Sequence, residues 1–275
     1  MSINGNSGNF IKNRADCGFV TVVIPCYKSA GYLRHTVEEI LDTAARHGRE
    51  DLRILLVDDG SGDDTGDVIC DLCRCYENRI TGILLAKNGG QTQAKMAVLP
   101  FIHGGVTVFM DDDGQHDPGK IFDLEQKVLE GYDIVYAQFP KVEESRMRRA
   151  GSRMLNGILT LCTKKPAGLR ITSYMAISEA ALEELKRYKS RHPFIGGWLC
   201  SHGYRAAGIP VPHRKREEGT SRYTVKKLLY RTLELTVLYR IPPGKNDEPR
   251  VQFRAVMNAE NLSRKADPDA VHGCG

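Results

Sequence analysis

Five short apolar runs constrain this chain more than any other feature. They are FVTVVIPCY (19–27), LRILLVDDGSGDDT (52–65), ITGILLA (80–86), VTVFM (106–110) and DIVYAQF (133–139). Most of them end in Pro, Gly or acidic residues. Between them lie segments whose apolar residues recur at helical spacing: 31–48, 67–77, 90–102 and 118–131. Runs this short and this rich in Val, Ile and Leu read as strands. They are nearly continuous rather than alternating, so both faces of their sheet are covered. Strand, helix, strand, helix then predicts an α/β fold with a mainly parallel, Rossmann-like sheet flanked by helices.

Beyond residue 140 the alternation weakens. EESRMRRAGSRMLNGILTLCT and VKKLLYRTLELTVLYRI read as basic amphipathic helices, over 145–162 and 225–241. Between them, ITSYMAISEAALEELKRY reads as a short strand and a helix, and YRAAGIPVPHRKREEGTSRYT as a strand entering a basic loop. Residues 1–18 read as a disordered lead-in, 19–140 as the first half of one domain, 141–241 as its second half with a basic loop and amphipathic helices, and 242–275 as a polar tail without order.

Charge follows the same division. Residues 1–140 hold 13 Lys+Arg against 21 Asp+Glu, whereas residues 141–240 hold 21 against 8. A basic second half suits an anionic partner: a phosphorylated substrate or an anionic membrane surface. Nucleic acid is disfavoured, because the basic segment lacks interleaved aromatic residues for stacking. The N-terminal stretch has no apolar core of a secretory signal, and no run of about 18 apolar residues occurs. The expected location is the cytoplasm, with peripheral contact at the inner face of the membrane as a further option. Of the eight cysteines, Cys70, Cys73 and Cys75 cluster without a second ligand pair, so they read as ordinary helix residues.

Ligands of a parallel α/β sheet bind at the carboxyl ends of its strands. Three strands end there in Pro25-Cys26-Tyr27, Asp58-Asp59-Gly60-Ser61 and Asp111-Asp112-Asp113. No GxGxxG follows the first strand and no GxxxxGK[ST] occurs, which removes the dinucleotide fingerprint and the P-loop. Three adjacent carboxylates repel one another unless a cation compensates them. On an extended chain Asp111 and Asp113 point one way and Asp112 the other. Two hard carboxylates, with Gln115 beyond, suit Mg²⁺ or Mn²⁺ bridging to substrate phosphates.

Together TVVIPCYKSAGYLRHTVEEIL, ILLVDDGSGDDT, LAKNGGQTQAKMAVL and VFMDDDGQHDP resemble the successive motifs of family 2 glycosyltransferases of the GT-A fold. The DxDxQxxP form, and RKREEGTSRYTVKKLL after it, are similar to those of polyprenyl-phosphate glycosyltransferases, including the dolichol- and undecaprenyl-phosphate types. The likeness spans roughly residues 19–240. It implies a nucleotide-sugar donor, a divalent cation and a lipid-phosphate acceptor. It also implies roles for individual residues. Pro25 and Tyr27 line the nucleotide base, and Asp59 accepts from its imide N–H. Asp111 sits by the sugar and diphosphate, and Asp113 and Gln115 hold the metal. Arg216, Ser221 and Arg222 grip phosphate groups, for which the planar guanidinium fork is suited.

The chain departs from that pattern in several places. Ser29 stands where Glu is frequent, Asp112 where Ala is, Gly114 where Leu is, and Arg222 where Lys is usual. Ser173 stands at the place of an Asp proposed as a base in some relatives, and a polar tail replaces two transmembrane helices. The expected reaction is metal-assisted, inverting displacement of a nucleoside diphosphate. A lipid phosphate, with a second pKa near 6, needs no protein base. A saccharide hydroxyl needs one, with Asp112 or Asp117 as candidates. A non-catalytic nucleotide-sugar-binding module is the reading from outside enzymology. Asp112 is either an incidental surface charge or a mark of altered acceptor chemistry.

Overall fold

The computed structural model describes residues 19–140, 156–190, 193–212 and 252–257. The first four apolar runs become strands β1 (Val20–Cys26), β2 (Arg53–Asp58), β3 (Ile80–Leu85) and β4 (Val106–Phe109). β1 pairs in parallel with β2 on one side and β4 on the other, and β2 pairs in parallel with β3. The crossovers are α1 (Leu33–Arg46), α2 (Thr65–Cys75) and α3 (Gln91–Ala97), and α4 (Lys120–Leu129) leads from β4 to β5 (Ile134–Gln138). Pro25 is tolerated inside β1 because β4 stops pairing opposite Val23, so only β2 flanks the position that lacks an N–H.

The helices form where the apolar spacing places them. α1 buries Leu33, Val37, Ile40, Leu41 and Ala44 along one face. They join α2 and α4 on one side of the sheet, against Val22, Ile24, Leu56 and Val108. The other side packs Val23, Val57, Ile83 and Phe109 against α3 and two later helices, α5 (Glu179–Arg187) and α6 (Ile195–Ser201). The continuous apolar strands are thus buried on both faces. Cys70, Cys73 and Cys75 all lie on α2, with Cys73 in the core.

Among the described residues the sheet has eight strands, and its far half is less regular than the apolar runs suggest. The remaining strands are β6 (Met175–Ile177), β7 (Ala206–Pro210) and β8 (Phe253–Met257), and the order is β7-β5-β6-β4-β1-β2-β3-β8. The short β6 inserts between β4 and β5 and runs antiparallel to both, while β5 pairs in parallel with β7. β8 lies inside the tail expected to lack order. It pairs antiparallel with β3, buries Met257 and sets Phe253 edge-on to Phe101 at 5.7 Å between ring centroids. Four of its five residues are apolar but only Met257 is buried, so the strand is legible only beside the edge it covers.

Residues 156–163 are helical, within the stretch expected as an amphipathic helix. The rest of that stretch, 145–155, and the whole of 225–241 lie outside the described residues, as do Arg216, Ser221 and Arg222.

One glycine shapes the loop after β2. Gly60 has φ +65°, and a Cβ there would lie 2.6 Å from the carbonyl carbon of Lys87. Gly60→Ala is expected to cost about 1–3 kcal/mol in urea unfolding, from backbone strain and displacement of the 87–90 loop.

Candidate active site

The carboxyl ends of β1, β2 and β4 meet at one edge, and short hydrogen bonds lock their loops together. The Asp59 amide donates to the Cys26 carbonyl (2.9 Å), and the Met110 amide to the Val23 carbonyl (3.0 Å). The Lys28 amide donates to Ser61 Oγ (2.9 Å) and the Ser29 amide to Thr65 Oγ1 (2.8 Å). Tyr27 stands exposed at the rim, whereas Pro25 is buried in β1 opposite Val57.

Asp59 is buried at 2 % exposure, and its two carboxylate oxygens accept from the Gly89 and Gly90 amides, each at 2.8 Å. It therefore fixes the turn that starts α3. Burial pushes its carboxyl above the ordinary value despite those two bonds. Each oxygen still has a lone pair for a further donor.

Asp111 lies at the centre of a convergence that local sequence does not reveal. Its Oδ1 accepts from Gln91 Nε2 and is 3.6 Å from Lys95 Nζ, and its Oδ2 accepts from Ser173 Oγ at 2.6 Å. Gln91 and Lys95 are one helical turn apart on α3, so they share a face. Lys95 is buried, reaches the Ser173 carbonyl at 3.3 Å and lies over the Phe109 ring. Burial pushes the Lys95 ammonium down from its ordinary value, against the pull of Asp111. Burial also pushes the Asp111 carboxyl up, but Lys95, His116 and the Ser173 hydroxyl outweigh it and hold the group below the usual carboxylate range. Asp111 is thus ionised at neutral pH.

His116 completes this cluster. The Asp111 amide donates to its Nδ1 at 3.0 Å, so Nδ1 carries no proton and Nε2 does. Nε2 lies 3.6 Å from Asp111 Oδ2. The ring is held flat between Tyr174 (centroids 4.6 Å apart) and Phe139 (5.7 Å). Lys95, His116 and Gln91 were not singled out in the sequence. The spacing of Gln91 and Lys95 on one helix, pointing at the acidic strand end, was the available signal. Ser173, at the place of a base in some relatives, serves here as a donor to Asp111.

The ladder of β4 ends at Phe109 and the chain bends over 112–114, with Asp111 and Asp112 turned to different sides, as an extended chain would set them. Asp111 turns towards α3. Asp112 turns towards the β1–α1 loop, where its Oδ2 accepts from Ser29 Oγ and lies 3.4 Å from the Tyr27 amide. Its main-chain carbonyl accepts from Thr36 Oγ1 at 3.1 Å. Burial, with Asp111 adding to it against the Ser29 bond, pushes the Asp112 carboxyl up to about 6. It is not an incidental surface charge. Burial, with Asp112 and Asp113 adding to it, raises the Tyr32 phenol.

Asp113 is half-buried, and its Oδ1 accepts from the Gln115 amide at 3.2 Å. Gly114 between them has φ +70°, which explains a glycine where a leucine is frequent. Among the described residues no three His, Cys, Asp or Glu side chains gather around one point that would hold a metal ion. A single carboxylate with a neighbouring amide oxygen fits Mg²⁺ or Mn²⁺, which keep water and substrate phosphate oxygens as their other ligands. Asp117 closes the turn before α4, its Oδ1 accepting from the Gly119 amide at 3.0 Å.

Comparison with known proteins gives the family and the fold. The family model for glycosyl transferase family 2 matches residues 21–186. An undecaprenyl-phosphate 4-deoxy-4-formamido-L-arabinose transferase of Klebsiella pneumoniae is 30 % identical over 224 residues, covering 82 % of this chain and 68 % of that protein. Its namesake of Edwardsiella ictaluri is 29 % identical over 225 residues, covering 82 % and 69 %. In fold, the chain is similar to glucosyl-3-phosphoglycerate synthase of Mycobacterium tuberculosis in complex with Mg²⁺ and UDP, with TM-score 0.56, 18 % identity and coverage of 83 % and 81 %. It is also similar to a mannosyltransferase of Pyrobaculum calidifontis in complex with GDP-Man and Mn²⁺, with TM-score 0.57, 17 % identity and coverage of 80 % and 62 %.

Proposed function

This chain belongs to glycosyl transferase family 2, and from that premise we propose that it transfers a sugar from a nucleoside-diphosphate sugar to a polyprenyl phosphate, with inversion. The observation that supports a phosphate acceptor is the state of the carboxylates at the strand ends. Asp59, Asp111, Asp112 and Asp117 each accept hydrogen bonds from groups of the chain itself. Each therefore holds part of the site in place, and none needs to act as a general base in this reading. An acceptor that arrives already ionised needs none, and a phosphate monoester is largely ionised at neutral pH.

In this reading Tyr27 offers its exposed ring to the base, and Asp59 accepts from the base imide. Asp111, held ionised by Lys95, stands beside the sugar, where positive charge develops at the anomeric carbon. Asp113 and Gln115 would hold Mg²⁺ or Mn²⁺, which would supply positive charge against the leaving diphosphate. Arg216, Ser221 and Arg222 are assigned to phosphate groups of donor or acceptor. The basic second half of the chain supports peripheral contact with an anionic membrane, or with a membrane partner. Among the described residues no helix is long and apolar enough to cross a membrane.

Two measurements test the reading. A thermal-shift panel of UDP, GDP and their sugars, with and without Mn²⁺, identifies the donor, because a ligand that binds only the native state raises its melting temperature. Incubation of the radiolabelled donor with undecaprenyl phosphate or with a saccharide is then followed by organic extraction. Label in the organic phase supports the lipid acceptor, and label confined to water-soluble saccharide overturns it. Chelation with EDTA is expected to abolish transfer, and excess Mn²⁺ or Mg²⁺ to restore it. Activity that persists in EDTA removes the metal from the mechanism.

A further inference from the structure

We propose that Ser29 and Asp112 form a clamp joining the nucleotide side of the cleft to its metal side, with Asp112 as a positioning residue for donor binding. The proposal rests on the donor-site reading above and adds a residue pair to it. Ser29 is fully buried, and each of its polar atoms is committed. Its carbonyl accepts from the Leu33 amide at 2.9 Å and starts α1, and its amide donates to Thr65 Oγ1. Its hydroxyl accepts from the Tyr27 amide at 3.0 Å and donates to Asp112 Oδ2. The Thr36 hydroxyl ties the Asp112 main chain to α1. Two positions before Ser29 stands Tyr27, and one position after Asp112 stands Asp113. A shift of either loop therefore moves the base platform relative to the metal-side carboxylate.

The geometry predicts that the carboxylate works from either side. Exchanging the residues, Ser29→Asp with Asp112→Ser, keeps a hydroxyl–carboxylate pair and leaves an acceptor for the Tyr27 amide. Ser29→Asp alone sets two carboxylates together, Asp112→Ala alone leaves the buried Ser29 hydroxyl without its acceptor, and Asp112→Ser alone offers it only a shorter, uncharged one.

The test measures thermal melting, calorimetric binding of Mn²⁺ with UDP and with GDP, and initial rates for the wild type, the singles and the exchange. Each single is expected to weaken nucleotide binding about tenfold and to raise the donor KM with kcat little changed, and the exchange to return both to within about threefold. Unchanged nucleotide affinity in Asp112→Ala overturns the proposal. So does an exchange no better than its worse single, or a collapse of kcat with intact nucleotide affinity. If the wild type binds neither nucleotide, the donor-site reading fails, and the clamp is judged by melting alone: restoration in the exchange supports it, and additive losses overturn it.

Discussion

Asp113→Ala is expected to lower the rate of glycosyl transfer about a hundred- to a thousandfold while the protein melts almost where the wild type does. The size follows from removing a group that acts on charge developing in the transition state, an effect of this order when one such contact is lost. The small stability change follows from the surroundings of Asp113. It is half-buried, and its hydrogen bond to the Gln115 amide closes a turn only two residues long. Loss of such a bond costs about 1 kcal/mol. Initial rates at saturating Mn²⁺, beside melting curves, check both halves. A variant that keeps its rate would move the metal to other ligands, and one that unfolds would make Asp113 a structural residue.

Asp111→Ala is expected to fail differently, losing activity and stability together. Lys95 and Asp111 form a pair whose lysine side chain is 5 % exposed and whose aspartate is 20 % exposed. Removing one partner of a buried pair costs about 3–5 kcal/mol, because the other charge stays behind. The partial exposure of Asp111 places this case near about 3 kcal/mol. Combining Lys95→Met with Asp111→Asn removes both charges and is expected to recover most of that loss without restoring any transfer. Urea unfolding and rate assays on the two variants separate the roles. If the combined variant stays as unstable as Asp111→Ala, the loss comes from the Gln91 and Ser173 bonds rather than from the stranded lysine.

The first half of the fold was legible because each of its strands carries its own apolar run and its own crossover helix. The acidic strand end was legible too, since three carboxylates at a binding edge are costly without a purpose. What stayed hidden arises from contacts distant in the chain. Ser173 reaches Asp111 across 62 residues, and Lys95 points there from a helix whose pattern announces only its buried face. The short strand at β6 was legible, but its place between β4 and β5 was not, and β8 buries only Met257. Ser29 and Asp112 stood out as two unrelated departures from a pattern. Only the fold shows that they are in contact.

The insertion of β6 has a consequence for how the chain is made. β4 and β5 are synthesised in succession, yet they are not neighbours, and the strand between them is drawn from residues 175–177. While the ribosome is still short of that point, β4 presents an unpaired hydrogen-bonding edge and β5 has neither β6 nor β7 beside it. Such an edge recruits other strands. Collapse of β4 onto β5 in the gap would bar Ser173 from Asp111. Ser173 can therefore reach Asp111 only once a piece made about 65 residues after β4 is seated between the two strands.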